Sequence, residues 1–420
     1  MTAGGGYRLL AGGAADAATP LPRPGQSGIK HVVVVMMENR SFDHFLGWLP
    51  QVNPAADGKQ AGLTYRDRYR VPHQTHHLTE FASCGFQDPD HSYEGGRIQL
   101  NGGRCNGWLR SGLNDSLSIG YYEQADLQFL GQAAPAWTTF DRYFSAVMAE
   151  TYPNRFYLHC ARTDRLHNGD LPFGTPFKYP SIWDRLKAAK VSGKYYFSDI
   201  PFTFLLQAHA PASARVGDPA APLPGTFFGD AAEGTLPAVS FVDPQFLNED
   251  DGLSNDDHPH ADVRAGEVFM NQIYDAVRTS PSWKHTVLVF TYDEWGGFFD
   301  HVAPPMAHDV SPKTSLRGFR VPTVVVSPFA RRGFVSHAVY DHASILKMIE
   351  WRWRLEPLTP RDRHARNLAR VLDFANPDST APAYVVDPFV PSGCAVADTE
   401  TSGSEFSEWP AMKQAARAAG

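Results

Sequence analysis

Five short runs of apolar, mostly β-branched residues punctuate the chain. They are residues 31–37 (HVVVVMM), 194–197 (KYYF), 237–242 (PAVSFV), 286–292 (TVLVFTY) and 323–326 (TVVV). None alternates cleanly with polar positions. Near-continuous apolar runs of this length are strands buried on both faces, as in a parallel sheet. Between them the apolar spacing turns helical. Residues 41–49 place Phe42, Phe45, Leu46 and Leu49 on one face, and 263–277 and 343–355 repeat the pattern. Buried strands alternating with helices predict an α/β sandwich with a mostly parallel sheet. Two long segments, 50–135 and 200–235, interrupt the alternation and are expected to build a cap or rim. Residues 1–28, rich in Gly, Ala and Pro, read as a mobile N-terminal arm. Residues 376–420 read as a C-terminal extension ending in a loose tail, which leaves 29–375 as the folded domain.

Composition agrees with one large core. Of 420 residues, 43% are hydrophobic and 20% charged, which excludes a disordered chain. The net charge of −7 excludes a dedicated nucleic-acid binder, because a phosphate backbone needs a basic footprint. There is no apolar run of about 18 residues, the length of a spanning helix. The longest apolar stretch near the N-terminus, 32–37, is far shorter than that, and the segment before it lacks the apolar core of a secretory signal, so none is visible and a cytoplasmic location stays open beside export. The four cysteines form no CxxC pair. Cys84 and Cys105 are expected either to bridge, in an exported protein, or to remain free thiols.

The candidate chemistry sits at strand ends, where open α/β sheets place their sites. The run 31–37 leads into Glu38-Asn39, and 286–292 leads into Asp293-Glu294 followed by Trp295-Gly296-Gly297. Three carboxylates and an amide at one sheet edge would repel unless a cation lay between them. All-oxygen ligands suit Mg, Ca or Mn, and such sites also accept Zn. A third element is Glu150-Thr151-Tyr152-Pro153-Asn154-Arg155, leading into the apolar helical stretch 156–161. Pro153 fits a first helical turn and puts Thr151 near the N-cap. The ordinary role there is a cap. The catalytic one is a nucleophile, with free N–H groups after Thr151 holding phosphoryl oxygens. Of the 17 histidines, His91, His258, His260 and His301 lie in polar, carboxylate-bearing strings. GxSxG, HExxH, Walker and GxGxxG motifs are missing.

Three strings together carry a family resemblance. They are Glu38-Asn39-Arg40-Ser41-Phe42-Asp43-His44, Thr151-Tyr152-Pro153-Asn154-Arg155 and Asp293-Glu294-Trp295-Gly296-Gly297-Phe298-Phe299-Asp300-His301-Val302. With Gly318-Phe319-Arg320-Val321-Pro322, Ser327-Pro328, and His91 followed by Asn101-Gly102-Gly103, the chain resembles a phosphoesterase family over roughly 29–375. That family includes bacterial phosphatidylcholine-hydrolysing phospholipases C, plant non-specific phospholipases C and acid phosphatases, within the alkaline-phosphatase-like superfamily. The resemblance implies an alkaline-phosphatase-like three-layer sandwich. It implies one divalent metal ion (Ca, Mg, Mn or Zn) on Glu38, Asn39, Thr151, Asp293 and Glu294. It makes Thr151 the nucleophile, with His91 and His258 catalytic. Asn39, His91, His258, His260 and His301 would surround the substrate. The expected reaction is phospholipase C-type cleavage to diacylglycerol and a phosphorylated head group, through a phosphothreonine-type intermediate. Trp108, Tyr121, Tyr122, Phe202 and Phe204 would flank a lipid entrance, with transient contact to a membrane surface. The alternative is a broad acid phosphatase on the same residues. A non-catalytic phospholipid- or metal-binding member is a third reading, but it predicts loss of Glu38, Thr151, Asp293 or Glu294, and all are present. Relatives are often exported. One departure is Asn106, where the phospholipase pattern usually has Asp.

Overall fold

The computed structural model describes residues 20–171, 175, 177–249 and 251–394. The tail at 395–420 and the first nineteen residues of the expected arm lie outside the described residues. Eight strands form one sheet among the described residues: β1 (His31–Met37), β2 (Thr138–Phe140), β3 (Gly193–Phe197), β4 (Ala212–Arg215), β5 (Val239–Asp243), β6 (Thr286–Tyr292), β7 (Thr323–Val326) and β8 (Phe334–Ser336). Their order is β8-β2-β7-β6-β1-β5-β3-β4. β1 lies parallel to both neighbours, with Val33 opposite Leu288 of β6 and Ser240 of β5. β7 alone runs antiparallel to both of its neighbours, so the sheet is mostly parallel, as the apolar runs predict.

Every residue of β6 and all but the first of β1 are buried, which explains why these runs carry no alternation. Five predicted strands recur within two residues of their expected bounds. β2, β4 and β8 have three or four residues each and carry no comparable signal. β4 falls in the segment 200–235, so part of that expected rim extends the main sheet instead. The segment 50–135 holds the helix Tyr93–Leu100 and two small ribbons, Thr64–Arg66 with Pro72–Gln74 and His76–His77 with Gly120–Tyr121.

The expected helices are present as Phe42–Leu46, Thr151–Cys160, Val263–Thr279 and His342–Trp353. Helix Thr151–Cys160 packs on His342–Trp353, and Val263–Thr279 packs on Phe227–Glu233. No helix among the described residues is long and apolar enough to cross a membrane.

The cysteine pairing differs from expectation. Cys84 is bonded to Cys394, 310 residues away, while Cys105 and Cys160 are free and buried. Cys105 packs in a small apolar cluster with Trp108 and Phe319 and faces no second thiol. The aromatics expected at a lipid entrance also differ. Trp108, Tyr121, Tyr122 and Phe202 are buried, and Phe204 is half-buried. Such large apolar side chains gain more from the core than a rim position would return.

Candidate active site

The carboxyl ends of β1 and β6 lie side by side because the two strands are in register. Met37 pairs with Tyr292, so Glu38-Asn39 and Asp293-Glu294 leave the sheet together. The Asp293 N–H donates to the Met37 carbonyl at 3.0 Å, and the Asn39 N–H donates to Asp293 Oδ1 at 3.0 Å. Asn39 turns the chain in the left-handed region (φ 58°), which asparagine tolerates better than most residues. Gly296 (φ 59°) follows closely, and a Cβ there would lie 2.1 Å from the Asn39 carbonyl oxygen. Gly297 (φ 70°) rests on Pro89 and Asp90, next to His91. The paired glycines thus let one turn touch the loops of two other site residues.

Helix Thr151–Cys160 brings the hydroxyl. Thr151 is its first residue, after the N-cap Glu150. Thr151 Oγ1 donates to Glu38 Oε2 at 3.2 Å and lies 3.3 Å from the Asn39 side-chain amide. Asn154 shapes the preceding loop: it donates to the Ala149 carbonyl (2.7 Å) and accepts from the Val147 N–H (3.0 Å). The N–H groups after Thr151 are not open to a ligand, contrary to expectation. The Tyr152 N–H donates to Asn168 Oδ1 at 2.7 Å, and Pro153 has none.

Two histidines close the site. His91 Nδ1 bonds to Glu294 Oε1, and its Nε2 lies 3.6 Å from Asp88 Oδ2. His258 Nδ1 bonds to its neighbour's carbonyl at Pro259, and the two imidazole centroids are 6.0 Å apart. The loop of His258 is fixed to β1, since the Glu38 N–H donates to the Asp256 carbonyl at 2.8 Å. The structure therefore brings together Glu38, Asn39, Thr151, Asp293, Glu294, His91 and His258. His260 is engaged with the Phe86 carbonyl at 3.0 Å. His301 has Asp43 on Nδ1 and Asp57 on Nε2, 2.5 and 3.0 Å away, and Arg320 beside it. Both of its ring nitrogens are committed to carboxylates.

Electrostatics bind the cluster together. Burial pushes Glu38 well above the usual carboxylate range against the pull of Arg155. Burial likewise pushes Glu294 up to about 8, against His91. Arg155 was not singled out from the sequence. Its guanidinium lies 2.8 Å from Glu38 Oε1, 3.1 Å from Asp243 Oδ2 and 3.7 Å from Asp293 Oδ2. Two signals pointed to this set. Arg155 is four residues after Thr151 on one helix, so both share a face. Asp243 ends β5 as Glu38 and Asp293 follow β1 and β6.

One positive charge among four buried carboxylates leaves room for a cation. Asp293 Oδ2 is buried and has no hydrogen-bond partner among the described residues. The Asn39 amide offers two arrangements. With nitrogen toward the carboxylates it donates to Glu294 Oε1 (3.0 Å) and Asp293 Oδ1 (3.2 Å), and its oxygen accepts from His258 Nε2 (2.8 Å). With oxygen toward them, it completes an all-oxygen set that only a cation satisfies. The residues fit a hard divalent ion. By spacing alone, Asp88, His91 and His258 could also hold one, as could Asp43, Asp300 and His301. The latter group is already neutralised by Arg320, 2.9 Å from both Asp43 and Asp300.

A hydroxyl at a helix start sits among buried carboxylates and imidazoles at the carboxyl edge of a mostly parallel sheet, and the family and relatives that the chain matches make it a phosphoric ester hydrolase of α/β fold. The chain belongs to the phosphoesterase family, whose model matches residues 29–356. It is 32% identical over 383 residues to non-specific phospholipase C1 of Arabidopsis thaliana, covering 82% of this chain and 71% of that protein. It is 30% identical over 435 residues to phospholipase C A of Mycobacterium tuberculosis, covering 86% and 81%. Among solved structures, a protein in the alkaline phosphatase superfamily from Vibrio parahaemolyticus aligns with TM-score 0.41 and 9% identity, covering 81% of this chain and 70% of that one.

Proposed function

We propose that the chain cleaves phospholipids in the manner of a phospholipase C, through a covalent phosphoester on Thr151. The observation that carries this reading is the Thr151 hydroxyl, 3.2 Å from Glu38 Oε2 at the start of a helix, with His91 and His258 close by. The names of the two relatives support the lipid diester as substrate.

Glu38, Asn39, Thr151, Asp293 and Glu294 would hold the divalent ion, which when bound lowers the pKa of the hydroxyl and draws charge from the phosphoryl oxygens. The chain's own residues do the rest. Thr151 Oγ1 passes its proton to Glu38 Oε2, onto which it already donates, and attacks phosphorus in line as the bond to the diacylglycerol oxygen breaks. His91 gives that oxygen its proton from Nε2. Glu294, bonded to Nδ1, fixes the orientation of the imidazole and leaves Nε2 for the proton transfer. His258 and the Asn39 amide orient the phosphoryl oxygens. Water then attacks the phosphorylated threonine with the same imidazole as base; the phosphorylated head group is released and Thr151 Oγ1 takes its proton back from Glu38.

A substrate panel tests this. Phosphatidylcholine vesicles and p-nitrophenyl phosphorylcholine are expected to be hydrolysed faster than p-nitrophenyl phosphate. Chelation is expected to remove the activity and added divalent metal to restore it. A preference for the monoester would instead make the chain a phosphatase. Turnover and stability indifferent to chelation would show that the reaction needs no metal.

A further inference from the structure

A small apolar and basic prominence borders the His91 side of the site. The ribbon Thr64–Arg66 with Pro72–Gln74 carries a turn whose side chains point outward: Tyr69 is 80% exposed and Val71 is 49% exposed. Arg68 and Arg70 flank Tyr69 and are exposed. The only carboxylate of the turn, Asp67, folds back onto it, accepting from the Tyr69 and Val71 N–H groups and pairing with His73. The turn is tied to the next loop, since Arg68 Nη2 donates to the Gly112 carbonyl at 2.8 Å. Beside that contact stands Leu113, 47% exposed, with Arg110 exposed just before it.

This second loop rests on the residue that precedes His91. Ser111 Oγ donates to Asp90 Oδ2 at 2.6 Å, and the Asp90 N–H donates to Asn114 Oδ1 at 2.6 Å. The prominence is thus built onto the His91 loop. Its charge is opposite to that of the molecule: Arg66, Arg68, Arg70 and Arg110 are exposed there, on a chain of net charge −7. An aromatic ring with a polar tip, aliphatic side chains and arginines on one protruding turn match the chemistry of a lipid headgroup layer.

We propose that this turn and the adjoining 110–113 loop dock the protein on an anionic phospholipid bilayer, a proposal that rests on the phospholipase reading of the neighbouring site. Tyr69, Val71 and Leu113 enter the headgroup level, and Arg68, Arg70 and Arg110 meet the lipid phosphates. Docking there presents the His91 side of the site to the lipid.

The test is sedimentation with vesicles of phosphatidylcholine mixed with phosphatidylglycerol and with vesicles of phosphatidylcholine alone. The protein is expected to prefer the anionic vesicles and to release at high salt, because such attraction is screened. Variant Tyr69→Ser/Arg70→Glu is expected to lose tenfold or more in partition, about fivefold of it from the loss of the arginine alone. Its thermal unfolding and its hydrolysis of p-nitrophenyl phosphorylcholine are expected to stay at wild-type levels, while vesicle hydrolysis falls with binding. Wild type that does not bind, or a variant that binds and hydrolyses vesicles like wild type, overturns the docking proposal and leaves the phospholipase reading standing. Binding lost in the variant, with no vesicle hydrolysis by wild type, upholds docking and sinks the phospholipase reading.

Discussion

Arg155 and Thr151 leave the same face of one helix, and both reach Glu38. The guanidinium also meets Asp243, so removing it strands two buried carboxylates. Arg155→Met is expected to lower unfolding free energy by about 3–5 kcal/mol, measured by denaturant titration. His301 gives a pH signature. Burial disfavours its charged form, but Asp43 and Asp57 outweigh it and hold the imidazole up at about 9. A folded pKa above the unfolded value of about 6.5 contributes stability that is full below pH 6.5 and is lost as pH rises through 9. The melting temperature of wild type relative to His301→Gln is therefore expected to shrink between pH 6.5 and 9; a constant difference would contradict the assignment. At this scale the sequence showed residue types but not partners. Glu38, Asn39, Thr151, Asp293 and Glu294 were legible because strand ends and a helix start gather chemistry in this architecture. Arg155 and Asp243 obey the same rules, but their pairing joins a helix to a strand end 88 residues away. The ties of His260 to Phe86 and of His301 to Asp43 and Asp57 join residues distant in sequence, which no local pattern records.

Among the elements, β1 and β6 were legible because burial on both faces forbids polar interruption. The short strands β2, β4 and β8 were not, since three or four residues cannot display a period. The helix start at Thr151 followed from Pro153, but the fate of its N–H groups depended on Asn168, seventeen residues on. The turn after β6 makes the sharpest demand on sequence. Gly296→Ala would drive a Cβ to 2.1 Å from the Asn39 carbonyl at a positive φ. Asn39 must then shift, and with it the Thr151 contact. A displacement of about 1 Å at a reacting group costs on the order of 10²-fold in rate. Kinetics of Gly296→Ala are expected to show a loss of that size in kcat with the fold retained by circular dichroism. Wild-type kcat would show that the close approach does not position the site.

Across the whole molecule, the Cys84–Cys394 bond ties the C-terminal segment to the loop carrying Ser83 and Phe86. The Cys394 N–H also donates to the Asp251 carbonyl at 2.7 Å. Cysteine spacing carries no information on connectivity across 310 residues, so this pairing was illegible. The double variant Cys84→Ser/Cys394→Ser is expected to lose about 2–4 kcal/mol of stability and to become insensitive to reductant in thermal melts. Equal melting of variant and wild type under oxidising conditions would show that the bridge constrains little. The acidic balance also changes meaning at this scale: part of the net −7 is buried around Thr151, as Glu38, Asp243 and Asp293 facing Arg155 and Glu294 facing His91. All these features converge on one hydroxyl. The most direct measurement is acid quench during turnover of phosphatidylcholine, followed by mass spectrometry of the peptide containing Thr151. A phosphorylated head group bonded to Thr151 is expected in wild type, and neither adduct nor turnover in Thr151→Ala. Steady turnover with Thr151 unmodified, or an active Thr151→Ala protein, would contradict it.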